Sequence, residues 1–484
     1  MSEVIAALSR HVSGALSDGE RSIAYPELAG IVADIGRQLR ASGARTVGIA
    51  LDNSPLWAAL DLGVLSAGLI CVPLPGFFSP SQLAHVIHDA GIDTIMTDRK
   101  DFFLGLLDHA DLRILEREHC GRKYAEIHCR KNVQAQVPAG TAKITYTSGT
   151  TGQPKGVCLG CDAIERVAKS LLQASGANAD DRYLSVLPLS TLLENIGGVY
   201  VPLLAGATCH LPPPEKVGLQ GAAKLDAVRM ANAFRQFRAT SAILTPQLLQ
   251  ALMAQMEAGL PDLRFLAVGG APVSMRLLER AAELGLPVFE GYGLSECASV
   301  VSLNTAGSHR MGSAGKPLPH VSLKFAGDGE IFVKGAVMLG YCGADNREDY
   351  WPSGDTGYLD EDGFLYLTGR KKNMFITSFG RNVAPEWVEK ELTRHGAIMQ
   401  AAVFGEGKPW NTAVVVPRDP ACVGEAVREA NRDLPDYARI GKWLVADEPF
   451  LPENGQMTAN GRLKRDAIWP LYREKIDALY EEKS

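Results

Sequence analysis

Hydrophobic positions along the first half of the chain alternate between two periods. Residues 25–41 repeat apolar side chains at helical spacing, 46–51 form a short apolar run, 55–67 return to a helical pattern, and 69–74 form a second short run. The same succession recurs at 80–90 and 94–97, and again at 163–173 and 183–187. Helices alternating with short strands predict a sheet rich in parallel pairs and covered by helices, an α/β fold. Near Gly369 the texture changes. Turn-forming and charged residues crowd together (Gly354-Asp355-Thr356-Gly357, Asp360-Glu361-Asp362-Gly363, Gly369-Arg370-Lys371-Lys372) ahead of a helical pattern at 385–394. Apolar runs at 401–404 and 412–416, followed by helical patterns, read as an α+β unit. The expected organisation is a large N-terminal domain of parallel and mixed sheets with helices, residues 1–370, and a small α+β domain, residues 371–484.

The length of 484 residues fits two or three domains, and 46% hydrophobic with 21% charged residues is the balance of a globular chain with little room for long disorder. A net charge of −6 argues against a broad phosphate-binding surface for nucleic acid and favours a small-molecule substrate. Glu3, Arg10, His11 and Asp18 interrupt the N-terminal apolar residues, so no secretory leader is expected there, and no apolar run reaches membrane-spanning length. Nine scattered cysteines suggest reduced thiols, hence a cytoplasmic location. Cys158 and Cys161 share C-x-x-C spacing, and His119-Cys120 and His128-Cys129 form two His-Cys pairs. Neither arrangement matches a zinc pattern, and packing or surface roles are expected for them.

The segment Tyr146-Thr147-Ser148-Gly149-Thr150-Thr151-Gly152-Gln153-Pro154-Lys155-Gly156 carries the most chemistry. Its glycines let backbone N–H groups approach phosphate, the four hydroxyls between 147 and 151 donate hydrogen bonds, and Lys155 supplies positive charge. Pro154 ahead of the lysine, with no Ser or Thr behind it, separates this loop from a Walker loop.

This string resembles the signature loop of the acyl-adenylate-forming superfamily, which includes acyl-CoA synthetases, peptide-synthetase adenylation domains and firefly-type luciferases. Further motifs follow in the family's order. Gly269-Gly270-Ala271-Pro272 resembles the adenine-side loop, and Gly291-Tyr292-Gly293-Leu294-Ser295-Glu296 resembles the aromatic-Gly-x-Thr-Glu motif with serine for threonine. Ser353-Gly354-Asp355 resembles the ribose-binding motif, and Gly369-Arg370-Lys371-Lys372 resembles the interdomain hinge at Lys372. The resemblance implies that ATP is bound by Thr147, Ser148, Gly149, Thr150, Thr151, Gly152, Gly270, Ala271, Pro272, Tyr292, Gly293, Ser295 and Asp355. Mg²⁺ would be held by Glu296 with Thr151, a carboxylate against ATP phosphates. Asp355 suits both ribose hydroxyls, and Tyr292 suits stacking on adenine.

Adenylation brings a carboxylate onto an α-phosphorus, so cations lower the barrier. Lys155, Arg370 and one C-terminal cation are expected to supply them. In the family that cation is a lysine directly after a glycine. Here Gly461 is followed by Arg462, and Lys464 stands two residues on, so either can serve. Leu187-Pro188-Leu189-Ser190-Thr191-Leu192-Leu193-Glu194-Asn195 resembles the long-chain acyl-CoA synthetase form of its motif, with Thr191 where a histidine is usual. The 379–389 stretch resembles the same branch. An aliphatic acid is expected, with Glu194, Asn195, Gly197 and Gly198 at the acyl pocket or, for the glycines, in simple packing. The thiol acceptor is CoA or the phosphopantetheine of a carrier protein. A nucleotide-binding scaffold weakened by loss of the lysine is the reading outside catalysis.

Overall fold

The structure, a computed structural model, describes residues 1–484 apart from 108–111, 130–134, 148–153, 221–223, 257–258, 272, 347, 379–380, 459–460 and 482–484. Among the described residues two nine-stranded sheets dominate. One is parallel through its centre, running from Thr208–His210 through Arg182–Leu184, Ser241–Leu244 and Phe265–Val268 to Val288–Tyr292. The other joins Ile70–Pro73, Thr46–Ala50 and Thr94–Thr97 in parallel, then continues antiparallel into the hairpin Leu112–His119 and Arg122–Cys129. Its opposite half carries Thr141–Thr147 paired antiparallel with Lys155–Gly160, and Gly340–Tyr341 beyond that. The fold is thus α/β with mixed sheets, and a smaller α+β region follows.

The helix Pro55–Ser66 explains how the two sheets join. Apart from Asp61 its body is apolar on every side, and all but its last residue are buried, the pattern of a helix enclosed by protein. Ser54 caps it by accepting from the Trp57 N–H at 3.2 Å, and Pro55 fits its first turn. The largest core cluster draws Val47, Ile49 and Cys71 from one sheet and Leu16, Tyr183 and Cys209 from the other around this helix. Within that apolar core Lys143 is fully buried, its Nζ 2.6 Å from Asp61 Oδ1 and 2.8 Å from the Tyr200 hydroxyl.

A four-stranded sheet, Ser322–Phe325, Glu330–Lys334, Trp351–Leu359 and Leu365–Arg370, leads to the C-terminal region. There Ile398–Phe404, Asn411–Pro417 and Ile440–Val445 form a three-stranded sheet covered by the helices Pro385–Arg394, Val423–Asp433 and Arg465–Glu481. None of the described helices is long and apolar enough to cross a membrane.

Candidate active site

The end of one strand of a nine-stranded sheet, two strands of the four-stranded sheet and one C-terminal loop converge on Asp355. This residue sits in Trp351–Leu359, buried, with Oδ2 accepting from the Tyr292 hydroxyl at 2.7 Å and Oδ1 2.7 Å from Arg370 Nε. Each oxygen keeps a further lone pair, so the carboxylate is fixed in orientation and still able to accept from a diol. Tyr292 ends a parallel strand and is itself buried, its hydroxyl committed to Asp355.

The turn after Tyr292 is held under strain. A Cβ on Gly293 would lie 1.6 Å from the Ser299 carbonyl oxygen, so only glycine fits there. Ala298 and Ser299 both adopt positive φ, 51° and 96°, directly after the turn Ser295–Cys297 that carries Glu296. Glu296 is held twice by a single segment: its carbonyl accepts from Met338 N–H at 2.7 Å, and its Oε1 accepts from the Tyr341 hydroxyl at 3.0 Å. Burial and the Glu296 charge push the Tyr341 phenol well above its ordinary pKa, so it remains a donor. The same ring lies 5.8 Å from Lys155 Nζ, in cation–π range.

Thr147 and Lys155 face each other across their hairpin and bracket residues 148–153. Ser148, Gly149, Thr150, Thr151 and Gly152 therefore lie outside the described residues, as does Pro272. His85 Nε2 lies 3.0 Å from the Pro154 carbonyl oxygen at the base of that hairpin.

The C-terminal loop reaches this site through Arg462, whose Nε donates to the Gly270 carbonyl at 3.2 Å. Gly270 has φ +83°, the left-handed region that glycine favours, and Ala271 follows it. Arg462 has open surface yet is surrounded by protein atoms, as expected for a side chain lining a cleft. Desolvation and the neighbouring Arg370 lower its pKa, while Asp355 and Glu296 act the other way. Gly461, at φ +80°, leaves room for Gln247, whose Nε2 a Cβ would meet at 2.7 Å. Lys464 is exposed, and its backbone N–H donates to the Gln456 carbonyl at 2.8 Å. Of the two candidate cations, Arg462 is the one whose side chain contacts Gly270. Behind it, Arg465 pairs with Glu386 at 2.8 Å and with Glu389, and Asn373 beside the hinge also donates to Glu386. Lys372 is exposed within the 3₁₀ turn Lys371–Asn373.

The expected acyl-pocket residues lie deeper. Glu194 is fully buried, accepts from Tyr183 at 3.0 Å, and is pushed up to about 8 by burial. Asn195 joins the Lys143 network, bonding Asp61 Oδ2 at 3.2 Å and Lys143. A Cβ on Gly197 would lie 2.5 Å from Ile243 Cδ1, and one on Gly198 would lie 2.8 Å from both Glu194 Oε1 and Tyr183. Both glycines are closely packed by these side chains. The expected strand over 183–187 is also shorter, Arg182–Leu184. Tyr341 and Lys143 did not stand out in the sequence. An aromatic following Gly340 was the one visible sign for Tyr341.

The donor set at Glu296 fits Mg²⁺. One carboxylate oxygen accepts from Tyr341, leaving the other for a hard cation, and no cluster of three metal-binding side chains occurs among the described residues. Mg²⁺ characteristically takes one or two carboxylates together with substrate phosphates, so a full protein cage is not needed.

Geometry of this kind defines an adenylate-forming enzyme. The AMP-binding enzyme family model matches residues 6–342, and the model of that enzyme's C-terminal domain matches residues 372–484. The chain belongs to the AMP-binding enzyme family, and it is an acid–thiol ligase of the AMP-forming type. It is 26% identical to a long-chain-fatty-acid–CoA ligase of Mycobacterium bovis, over 88% of this chain and 86% of the relative. It is 29% identical to the 2-succinylbenzoate–CoA ligase of Bacillus subtilis, over 93% of each chain. A feruloyl-CoA synthase from Amycolatopsis is 30% identical over 86% of this chain and 87% of its own. Among solved structures, the o-succinylbenzoate CoA synthetase of Bacillus subtilis with its acyl-adenylate superposes with TM-score 0.76 and 25% identity, covering 96% of this chain and 97% of that one.

Proposed function

We propose that the protein converts a medium- or long-chain fatty acid to its acyl-AMP and then to a thioester of CoA. The observation that carries this reading is the contact of Arg462 with Gly270 beside the Tyr292–Asp355–Arg370 network. It supports a cleft in which a C-terminal cation meets the nucleotide. Asp355, fixed by two donors, accepts from the ribose hydroxyls. Gly270 and Ala271 border the adenine, and Tyr292, expected to stack on adenine, instead gives its hydroxyl to the Asp355 carboxylate that faces the ribose. Lys155 and Thr147 flank the phosphates.

Bound through Glu296 and the nucleotide phosphates, Mg²⁺ would supply charge neutralisation at the phosphoryl oxygens. Tyr341 keeps Glu296 turned toward them. Arg462 offers two nitrogens in a planar fork to the acid carboxylate and the α-phosphate, holding two anions together and stabilising charge as pyrophosphate departs. Thioester formation then needs the C-terminal region, residues 371–484, to rotate about Lys372, withdrawing Arg462 and admitting the pantetheine thiol.

The fatty-acid assignment rests on the 187–195 segment and on the long-chain relative. Aryl acids are the second reading, favoured by the 2-succinylbenzoate and feruloyl relatives. A carrier-protein phosphopantetheine presents the same thiol arm as CoA and is the alternative acceptor. The nine unbridged cysteines suit the reducing cytoplasm.

The test is product analysis by mass spectrometry with ATP, Mg²⁺ and CoA across acetate, mid-chain, long-chain and aryl acids. A fatty acyl-CoA supports the proposal. Exclusive aryl-CoA formation replaces the acid class, and acyl-AMP without acyl-CoA points to a carrier protein.

A further inference from the structure

The sequence places Cys158 beside Cys161, but the fold pairs it with a different cysteine. Cys158 lies on Lys155–Gly160, fully buried, and Cys342 follows the paired strand Gly340–Tyr341. Their sulfurs are 3.9 Å apart. Cys342 is half-buried, and its N–H donates to the Gly156 carbonyl at 3.0 Å. Its sulfur also lies 3.6 Å from the Tyr146 hydroxyl, which donates to Asp89 Oδ2 at 2.7 Å. Gly156 makes this possible, because a Cβ there would lie 2.7 Å from Cys342 Sγ.

We propose that Cys158 and Cys342 are a peroxide-responsive thiol pair, a reversible disulfide site whose closure slows adenylation. Cys342, the more accessible, reacts first. Its sulfur attacks hydrogen peroxide, the O–O bond breaks, an S–O bond forms, and water leaves carrying the thiol proton. The Cys158 sulfur then displaces the hydroxyl of that sulfenic acid, forming the S–S bond as a second water leaves with the Cys158 proton. Two thiols are oxidised by two electrons, and one peroxide is reduced to two waters. A donated hydrogen bond from Cys158 lowers the Cys342 pKa, which favours Cys342 as the attacking group.

The link to activity is mechanical, and it rests on the function proposed above. Gly340 pairs with Cys158 and Cys342 bonds Gly156, so the two cysteines are diagonal neighbours across the ladder, a spacing of about 7–8 Å against roughly 3.5–4.5 Å between the Cβ atoms of a disulfide, and closure draws the two strands together. The segment that moves carries Met338 and Tyr341, the two groups that hold Glu296, and it pairs with the strand that begins at Lys155. Both phosphate-side groups are displaced at once.

The experiment treats the reduced full-length protein with hydrogen peroxide, then reads linked peptides by non-reducing mass spectrometry and acid-dependent ATP–pyrophosphate exchange in parallel. We expect a Cys158–Cys342 linked peptide, a fall in exchange of about tenfold, and recovery with dithiothreitol. Cys342→Ser should resist inactivation, with Cys342→Ala as the second variant, and Cys158→Ser should stop at a sulfenic acid trapped by dimedone. Inactivation without the linked peptide overturns the proposal, as does a linked peptide with unchanged exchange. Peptide linkage is read without any activity, so a protein inactive even when reduced tells against the proposed function and leaves the pair itself tested.

Discussion

The Tyr341 hydroxyl donates to Glu296 Oε1 at 3.0 Å while its ring lies under Lys155, so one side chain steadies both Glu296 and Lys155, the carboxylate proposed for Mg²⁺ and the lysine proposed for phosphate. Removing the hydroxyl costs one hydrogen bond to a charged acceptor, about 1.5–3 kcal/mol. Tyr341→Phe should therefore raise the Mg²⁺ concentration needed for half-maximal exchange by roughly tenfold or more, and a Mg²⁺ titration at saturating ATP checks this. An unchanged requirement would assign Tyr341 to packing alone.

Lys143 is the fully buried cation of the N-terminal core, bonded to Asp61, Asn195 and Tyr200. Lys143→Met fills the space but leaves the Asp61 charge unpaired, a change that costs about 3–5 kcal/mol. The unfolding temperature of the N-terminal region should drop by several degrees or more. Calorimetry measures it.

Glu194 gives a pH signature. Its folded pKa of about 8 lies above the ordinary carboxyl value of 4.5, so the folded protein holds a proton there that the unfolded chain has released. Stability from this group is present below the unfolded value and is lost as pH rises toward 8. Glu194→Gln, neutral at every pH and still able to accept from Tyr183, should match wild type near pH 4.5 and exceed it increasingly up to pH 8. Urea midpoints across that range decide the matter, and a constant difference would contradict it.

Gly198→Ala would press its methyl against Glu194 and Tyr183, an overpacking cost of about 1–3 kcal/mol. Gly197→Ala meets only the flexible end of Ile243 and should cost less. If the two glycines serve packing, both variants keep the wild-type order of preference among acids. A reversed order would put them at the acyl chain.

Much of this was legible locally. The helices Tyr25–Ser42 and Pro385–Arg394 follow from their amphipathic patterns, Pro55–Ser66 from an apolar run, opened by Ser54 and Pro55, that is too long for a strand, and Thr94–Thr97 from a short apolar run between helical segments. The strand at 183 ends at Leu184 instead of 187, just before the turn Pro188–Thr191 closes with a backbone hydrogen bond. The hairpin of Leu112–His119 and Arg122–Cys129 went unread because charges alternate along an edge strand and mask its β pattern. What the sequence hides are contacts across long separations. Tyr341 meets Glu296 across 45 residues, and Lys143 meets Asp61 across 82. Cys158 was visible only through its neighbour Cys161. Motif order pointed first to Arg462, directly after Gly461, with Lys464 as the alternative, and the contact of Arg462 with the Gly270 carbonyl tells them apart.

The central claim is that Arg462 performs the work usually given to a lysine in the first half-reaction. Acid-dependent ATP–pyrophosphate exchange on wild type, Arg462→Ala and Lys464→Ala tests it directly. We expect Arg462→Ala to lose about 10²–10³-fold, the scale of a lost charge-stabilising donor, and Lys464→Ala to stay within a few-fold of wild type. Full exchange in Arg462→Ala, or its collapse in Lys464→Ala alone, would contradict the account.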